Sequence, residues 1–192
     1  MRLKTIAAGV CTALAAALPL PAQERAIDTQ RSTMTIHVGK AGLFSAAAHE
    51  HWVNAPIASG TIDETGSRVE FKVLSASMAV KPDSKLDART HDQIQKDMEE
   101  MTLEIAKYPE IAFRSTHVEK AAEGQYKVDG VLSLHGASKP VSVIVRRSGE
   151  SYSGHSVIKQ TDFAIKPISI GGGMIKIKDP VDIDFVIFSA PR

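Results

Sequence analysis

Residues 108–145 read YPEIAFRSTHVEKAAEGQYKVDGVLSLHGASKPVSVIV, and their pattern decides the fold class. Residues 111–118, 126–134 and 141–145 are three runs in which apolar and polar side chains partly alternate. A period of two belongs to a strand with one buried face. The intervening residues 119–124 and 135–140 hold Gly124, Gly136 and Pro140, which break strands and favour turns. The stretch predicts an antiparallel meander.

On the N-terminal side, residues 32–39 alternate with Met34, Ile36 and Val38 on one face. A turn or short helix then carries Leu43 and Phe44 inward. Residues 46–53 predict a strand with His49, His51 and Val53 on one face and Glu50 and Trp52 on the other. Residues 57–63 predict a short strand and residues 68–80 a long one carrying Val69, Phe71 and Val73. A parity shift near residues 74–78 points to a bulge. Residues 87–106 change period: Ile94, Met98, Met101 and Ile105 fall at helical spacing, Asp87 or Thr90 can cap, and Pro109 ends the helix.

On the C-terminal side, residues 152–165 predict two strand-like pieces around Ser153-Gly154-His155. Gly171-Gly172-Gly173 lacks the Lys-Ser/Thr that a phosphate loop needs. Residues 180–188 alternate most cleanly, with Val181, Ile183, Phe185 and Ile187 on one face and Asp182 and Asp184 on the other. About eight strands and one amphipathic helix predict a mainly β fold, a closed antiparallel barrel or a sandwich. A barrel of about eight strands either fills with side chains or holds one small ligand.

The chain has 192 residues, 43% hydrophobic and 23% charged, which suits one domain with a sizeable core. Arg2 and Lys4 precede an apolar run at residues 6–18, and Leu20-Pro21-Ala22 offers a cleavage site. This predicts a signal peptide over residues 1–22, cut after Ala22, ahead of one domain over residues 23–192 in the periplasm or outside the cell. Cleavage removes Cys11, the only cysteine, and leaves 21 basic against 22 acidic side chains, a formal charge of −1. No basic patch argues for nucleic acid. No later apolar run is long enough to span a bilayer.

Among chemistry-bearing residues, His49 and His51 stand out. At i and i+2 on a strand their Cα atoms lie about 6.6 Å apart, so both imidazoles can share a divalent metal ion. His37, His117 or His135 would supply a third ligand. The alternative is that both hydrogen-bond a loop or a ligand head group at the barrel mouth. The only cysteine leaves with the leader and no Gly-x-Ser-x-Gly elbow exists, so nucleophilic catalysis has no support. Asp182 and Asp184 read as a solvated outer face. Met98 and Met101 read as helix-to-sheet packing, or as an adaptable binding surface.

Residues 107–116 (KYPEIAFRST), 131–141 (VLSLHGASKPV) and 176–183 (KIKDPVDI) resemble, in order, three characteristic stretches of the YceI family. The likeness runs from about residue 27 to the C-terminus. It implies a lipocalin-like, antiparallel β-barrel with a helix at one side, in a periplasmic protein that holds a polyisoprenoid or similar amphiphilic lipid in an apolar tunnel. Family members are often homodimers. The chain departs from the common pattern at Asp87-Ala88-Arg89-Thr90-His91 and at Ala48-His49-Glu50-His51-Trp52, and resembles a subgroup with a His-x-His.

The reading is a non-enzymatic binding protein for an isoprenoid lipid or quinone. Met34, Ile36, Val38, Phe71, Val73, Ile111, Phe113, Val131, Leu132, Phe185 and Ile187 are its candidate lining. Trp52, His49 and His51 are candidates for the mouth. Two other classes stay open: a metal site or metalloenzyme at His49 and His51, and a module that presents a sheet edge or loop to a membrane redox partner.

Overall fold

The computed structural model describes residues 24–41, 50–65, 67–170 and 175–191. The expected leader and its cut after Ala22, together with Leu43, Phe44 and His49, lie outside them. Twelve strands follow in chain order: β1 Glu24–Ala26, β2 Thr33–Ala41, β3 His51–Asn54, β4 Ile57–Asp63, β5 Arg68–Leu74, β6 Ala79–Val80, β7 Glu110–Ala122, β8 Gln125–Leu134, β9 Ala137–Ser148, β10 Ser151–Lys159, β11 Ser169–Ile170 and β12 Ile175–Phe188. One helix, α1, spans Ala88–Asp97 between β6 and β7.

The predicted meander is the back wall. Strands β7, β8, β9 and β10 are consecutive antiparallel neighbours, and the full order is β1-β4-β5-β7-β8-β9-β10-β12-β2-β3-β6, with β11 on β12. The β8–β9 connection is a two-residue turn, because Leu134 pairs with Ala137. His135 and Gly136 both adopt positive φ, 50° and 75°, so the hairpin takes the I′ form that matches strand twist. Gly136 also has no room for a Cβ, which would lie 2.6 Å from the Tyr108 ring. Pro140 falls inside β9, beyond the residues that pair with β10, where its missing N–H leaves no gap on that side. Pro180 falls in the register shift between β12 and β2, another place where a strand tolerates proline.

The wall closes on itself through β1. That segment pairs with β4 on one side, and Ile27 N–H donates to Gly60 O at 2.9 Å. On the other side Ala190 N–H donates to Ala26 O and Asp28 N–H to Phe188 O, both at 2.8 Å. The result is the lipocalin-like barrel expected, with three short strands that the alternation did not reveal. Strands β1, β6 and β11 have two or three residues, too few to display a period. The long strand expected over residues 68–80 is broken by a 3₁₀ turn at Ser75–Ser77, and this turn takes the place of the expected bulge. The two pieces expected over residues 152–165 are one strand, β10, followed by a 3₁₀ turn at Gln160–Phe163. Gly154 is not a turn: it lies mid-strand opposite Phe185.

Helix α1 covers one end of the barrel. Asp87 caps it, accepting from Thr90 N–H at 2.9 Å. The helix runs on as a π turn at Met98–Thr102, where Leu103 N–H donates to Met98 O. Gln95 fastens it to the edge strand β6: its Oε1 accepts from Val80 N–H at 2.8 Å, and its Nε2 donates to Met78 O at 3.0 Å. Among the described residues no helix is long and apolar enough to cross a membrane.

Candidate functional site

The inward faces of the strands do not fill the barrel; among the described residues they line two cavities. The first, about 190 Å³, lies beneath α1 and the π turn. Its wall includes Met34, Ile36 and Val38 of β2, Phe71 and Val73 of β5, Ile111 and Phe113 of β7, Leu132 of β8 and Phe185 of β12. Nine of the expected lining residues are therefore in one wall. Val53, Ala55, Met78, Leu134, Val141, Ile158, Val181 and Ile183 join them, and Met98 and Leu103 descend from the closing segment. Among the described residues of that wall, Thr102, Ser156 and Gln160 are the only polar side chains. Gln160 is itself occupied, its Nε2 donating to Lys178 O at 2.8 Å.

The second cavity, about 130 Å³, lies at the opposite end, among the turns β4–β5, β7–β8 and β9–β10. Ile187 lines this one rather than the first, with Val69, Val118, Val128 and Val145. Its rim is polar. Tyr152 Oη donates to Glu64 Oε1 at 2.7 Å, Arg147 Nη2 reaches both Glu64 oxygens at 3.1 and 3.0 Å, and Arg25 Nη1 stands 3.8 Å away. The Tyr152 hydroxyl, and then the two guanidinium groups, hold the Glu64 carboxyl below its ordinary range. Burial, and then the hydrogen bond to Glu64, push the Tyr152 hydroxyl up to about 12.

Two expected ligand-binding residues are not in either wall. Val131 neighbours Leu132, and a period of two lets only one of an adjacent pair point inward. Leu132 does, so Val131 faces out, between Arg114 and Pro140 of the flanking strands. Trp52 is not at a mouth: it is 44% exposed on the outer face, stacked on His37 at 4.4 Å between ring centroids. Met101 leaves the helical stripe and is 66% exposed. The π turn inserts one residue per turn and so rotates it off the face that carries Met98.

Of the histidines read as candidate metal ligands, His37, His51, His117 and His135 are among the described residues. His49 lies outside the described residues. His51 sits on the face of Val53, opposite Val38, and so looks inward. His37 looks outward: its Nε2 is 3.2 Å from Glu50 and its Nδ1 is 3.7 Å from Asp182. The wall thus separates His37 from His51 and removes it as a shared ligand. His135 is taken up elsewhere, with Nε2 at 2.7 Å from Glu104 and Nδ1 at 3.2 Å from Phe163 O. His117 is on β7, 3.7 Å from Glu119. Among the described residues no three His, Cys, Asp or Glu side chains are placed to hold a metal ion. Asp182 and Asp184 are on the solvated outer face, beside His155.

The remaining lining residues obey the same parity that revealed the first nine, and a consistent inward assignment along each strand recovers Val53, Leu134 and Ile183. No sequence signal points to the Glu64, Arg147 and Tyr152 rim, since Glu64 lies more than 80 positions from both Arg147 and Tyr152 and meets them only when the barrel closes.

The chain matches the family model of the YceI-like domain over residues 26–188. A "UPF0312 protein" of Pseudomonas savastanoi pv. phaseolicola is 36% identical over 74 residues, 33% of this chain and 38% of the relative. A second, from Azotobacter vinelandii, is 32% identical over the same extent. The chain thus matches little more than a third of the length of these curated relatives. Two solved structures share the fold. Burkholderia cenocepacia BcnA is 19% identical with a TM-score of 0.57, over 86% of this chain and 99% of that one. A polyisoprenoid binding domain from Saccharophagus degradans is 19% identical with a TM-score of 0.60, over 86% and 98%.

Proposed function

Because the chain belongs to the YceI family, we propose that it binds an amphiphilic lipid and performs no chemistry on it. The observation that carries this is the first cavity's wall, whose described side chains are apolar apart from Thr102, Ser156 and Gln160. Such a wall offers an aliphatic chain a dry surface, and at about 25 cal/mol per Å² of buried apolar area it needs no other attraction. The likeness to a domain described as polyisoprenoid binding supports an isoprenoid chain, carried by a prenyl lipid or a quinone. The protein would work in the periplasm or outside the cell, on the strength of the leader pattern at residues 1–22.

Protein purified from its own host and subjected to native mass spectrometry and organic extraction tests the reading. A prenyl lipid that co-purifies at up to one molecule per chain is the expected result. Protein that is consistently free of lipid, and takes none up when incubated with a lipid extract of the host, would rule it out.

A further inference from the structure

The two cavities meet at three side chains, Phe71, Phe113 and Val143, which line both. Phe71 and Phe113 are direct cross-strand partners on β5 and β7, and their rings stack with centroids 5.4 Å apart. Phe71 packs against all three apolar clusters of the interior.

The Phe113 ring is seated on a glycine, and another glycine lies beside the Phe71 Cβ. Gly60 is the partner of Phe71 across β4, and a Cβ there would lie 2.8 Å from that of Phe71. A Cβ on Gly130 of β8 would lie 2.4 Å from Phe113 Cζ. Phe185 repeats the arrangement on Gly154, with 2.5 Å to its Cζ. Strand glycines mark places where something must approach the backbone closely. Here two of them, Gly130 and Gly154, give the Phe113 and Phe185 rings space at the waist of the barrel.

We propose that the Phe71–Phe113 pair is a chain-length gauge, a partition that sets how much of an isoprenoid chain the barrel accepts. The proposal rests on the interior being a lipid site. The volumes give it weight. The first cavity, about 190 Å³, is smaller than the roughly 300–1,000 Å³ of ordinary small-molecule sites. Only with the second, about 130 Å³, does the space reach the lower edge of that range. A chain entering the first cavity meets two stacked rings, not an open tunnel. A longer one proceeds only with a ring displaced.

Affinities of geraniol, farnesol and geranylgeraniol for the wild-type chain, Phe113→Ala and Phe113→Leu test this, with thermal melts to establish folding. In the wild type, affinity should rise with length and then level off. In Phe113→Ala the levelling should vanish, and the ratio of geranylgeraniol to geraniol affinity should rise about tenfold or more as further methylenes become buried. Phe113→Leu should move the ratio the same way by less, and it carries the test if the alanine variant does not fold. An unchanged ratio in folded variants, or a wild type whose affinity climbs through all three alcohols, would overturn the gauge and leave the lipid reading intact. Failure of all three alcohols to bind the wild type would overturn the lipid reading and the gauge with it.

Discussion

Tyr152 is the side chain most altered by its surroundings. Its hydroxyl is pushed up to about 12 by burial and by the Glu64 carboxylate it donates to. A tyrosinate difference titration, wild type minus Tyr152→Phe, should therefore have its midpoint near 12 rather than the ordinary ~10. The folded chain holds that proton more tightly than the unfolded one. The contribution to stability is accordingly full below about pH 10 and is lost as pH rises towards 12. Glu64 is the reverse case: its pKa is depressed, so its contribution is present above the ordinary carboxylate value of ~4.3 and fades as pH falls below it. A melting-temperature profile for Glu64→Gln should lack that acid slope. At the opposite extreme of packing, Gly130→Ala forces a methyl group to 2.4 Å from the Phe113 ring and should cost about 1–3 kcal/mol in urea unfolding. Alternation made Phe71, Phe113 and Phe185 legible as inward residues. The glycine seats of Phe113 and Phe185 were not legible, because nothing within residues 126–134 or 152–165 marks Gly130 or Gly154 as facing a ring until the ring across the sheet is seen. Val131 was misread for a simpler reason: apolar character alone placed it inward, where parity allowed only Leu132.

The closing segment shows what an element adds to its residues. Its apolar spacing and the Asp87 cap were legible, and so was its end before Pro109. The π turn was not, since one extra residue per turn leaves no composition signal, and it moves Met101 into solvent. Nor was the fastening by Gln95, a polar residue that satisfies Val80 N–H and Met78 O on an unpaired strand edge. Gln95→Leu deprives both groups of their partner and should cost about 1–3 kcal/mol. Hydrogen exchange should locate that loss in α1 and β6, with the β7–β10 amides unchanged. At the far end of the segment, Glu104 grips His135 at 2.7 Å beside the tilted Tyr108 ring, tying the lid to the β8–β9 hairpin. The KYP and LHG stretches that carry the family likeness thus meet at one joint.

The whole molecule is a wall around two unequal spaces. Its class and most of its lining were legible because a barrel with one buried face imposes a period of two on every long strand. Its closure was not, since β1 is a three-residue strand in a segment that reads as polar lead-in, and the polar rim depends on that closure through Arg25. Two distinct ends follow, one apolar beneath the helix and one ringed by Arg25, Glu64, Arg147 and Tyr152. The methionines report directly on which space a lipid chain occupies. Met34, Met78 and Met98 line the first cavity, whereas Met101 faces solvent. The most direct measurement is a methyl spectrum of ¹³C-methyl-methionine protein titrated with geranylgeraniol. Resonances of Met34, Met78 and Met98 should shift and saturate together while Met101 stays in place. A shift confined to Met101, with the three interior methyls unmoved at saturation, would contradict a lipid chain inside the barrel.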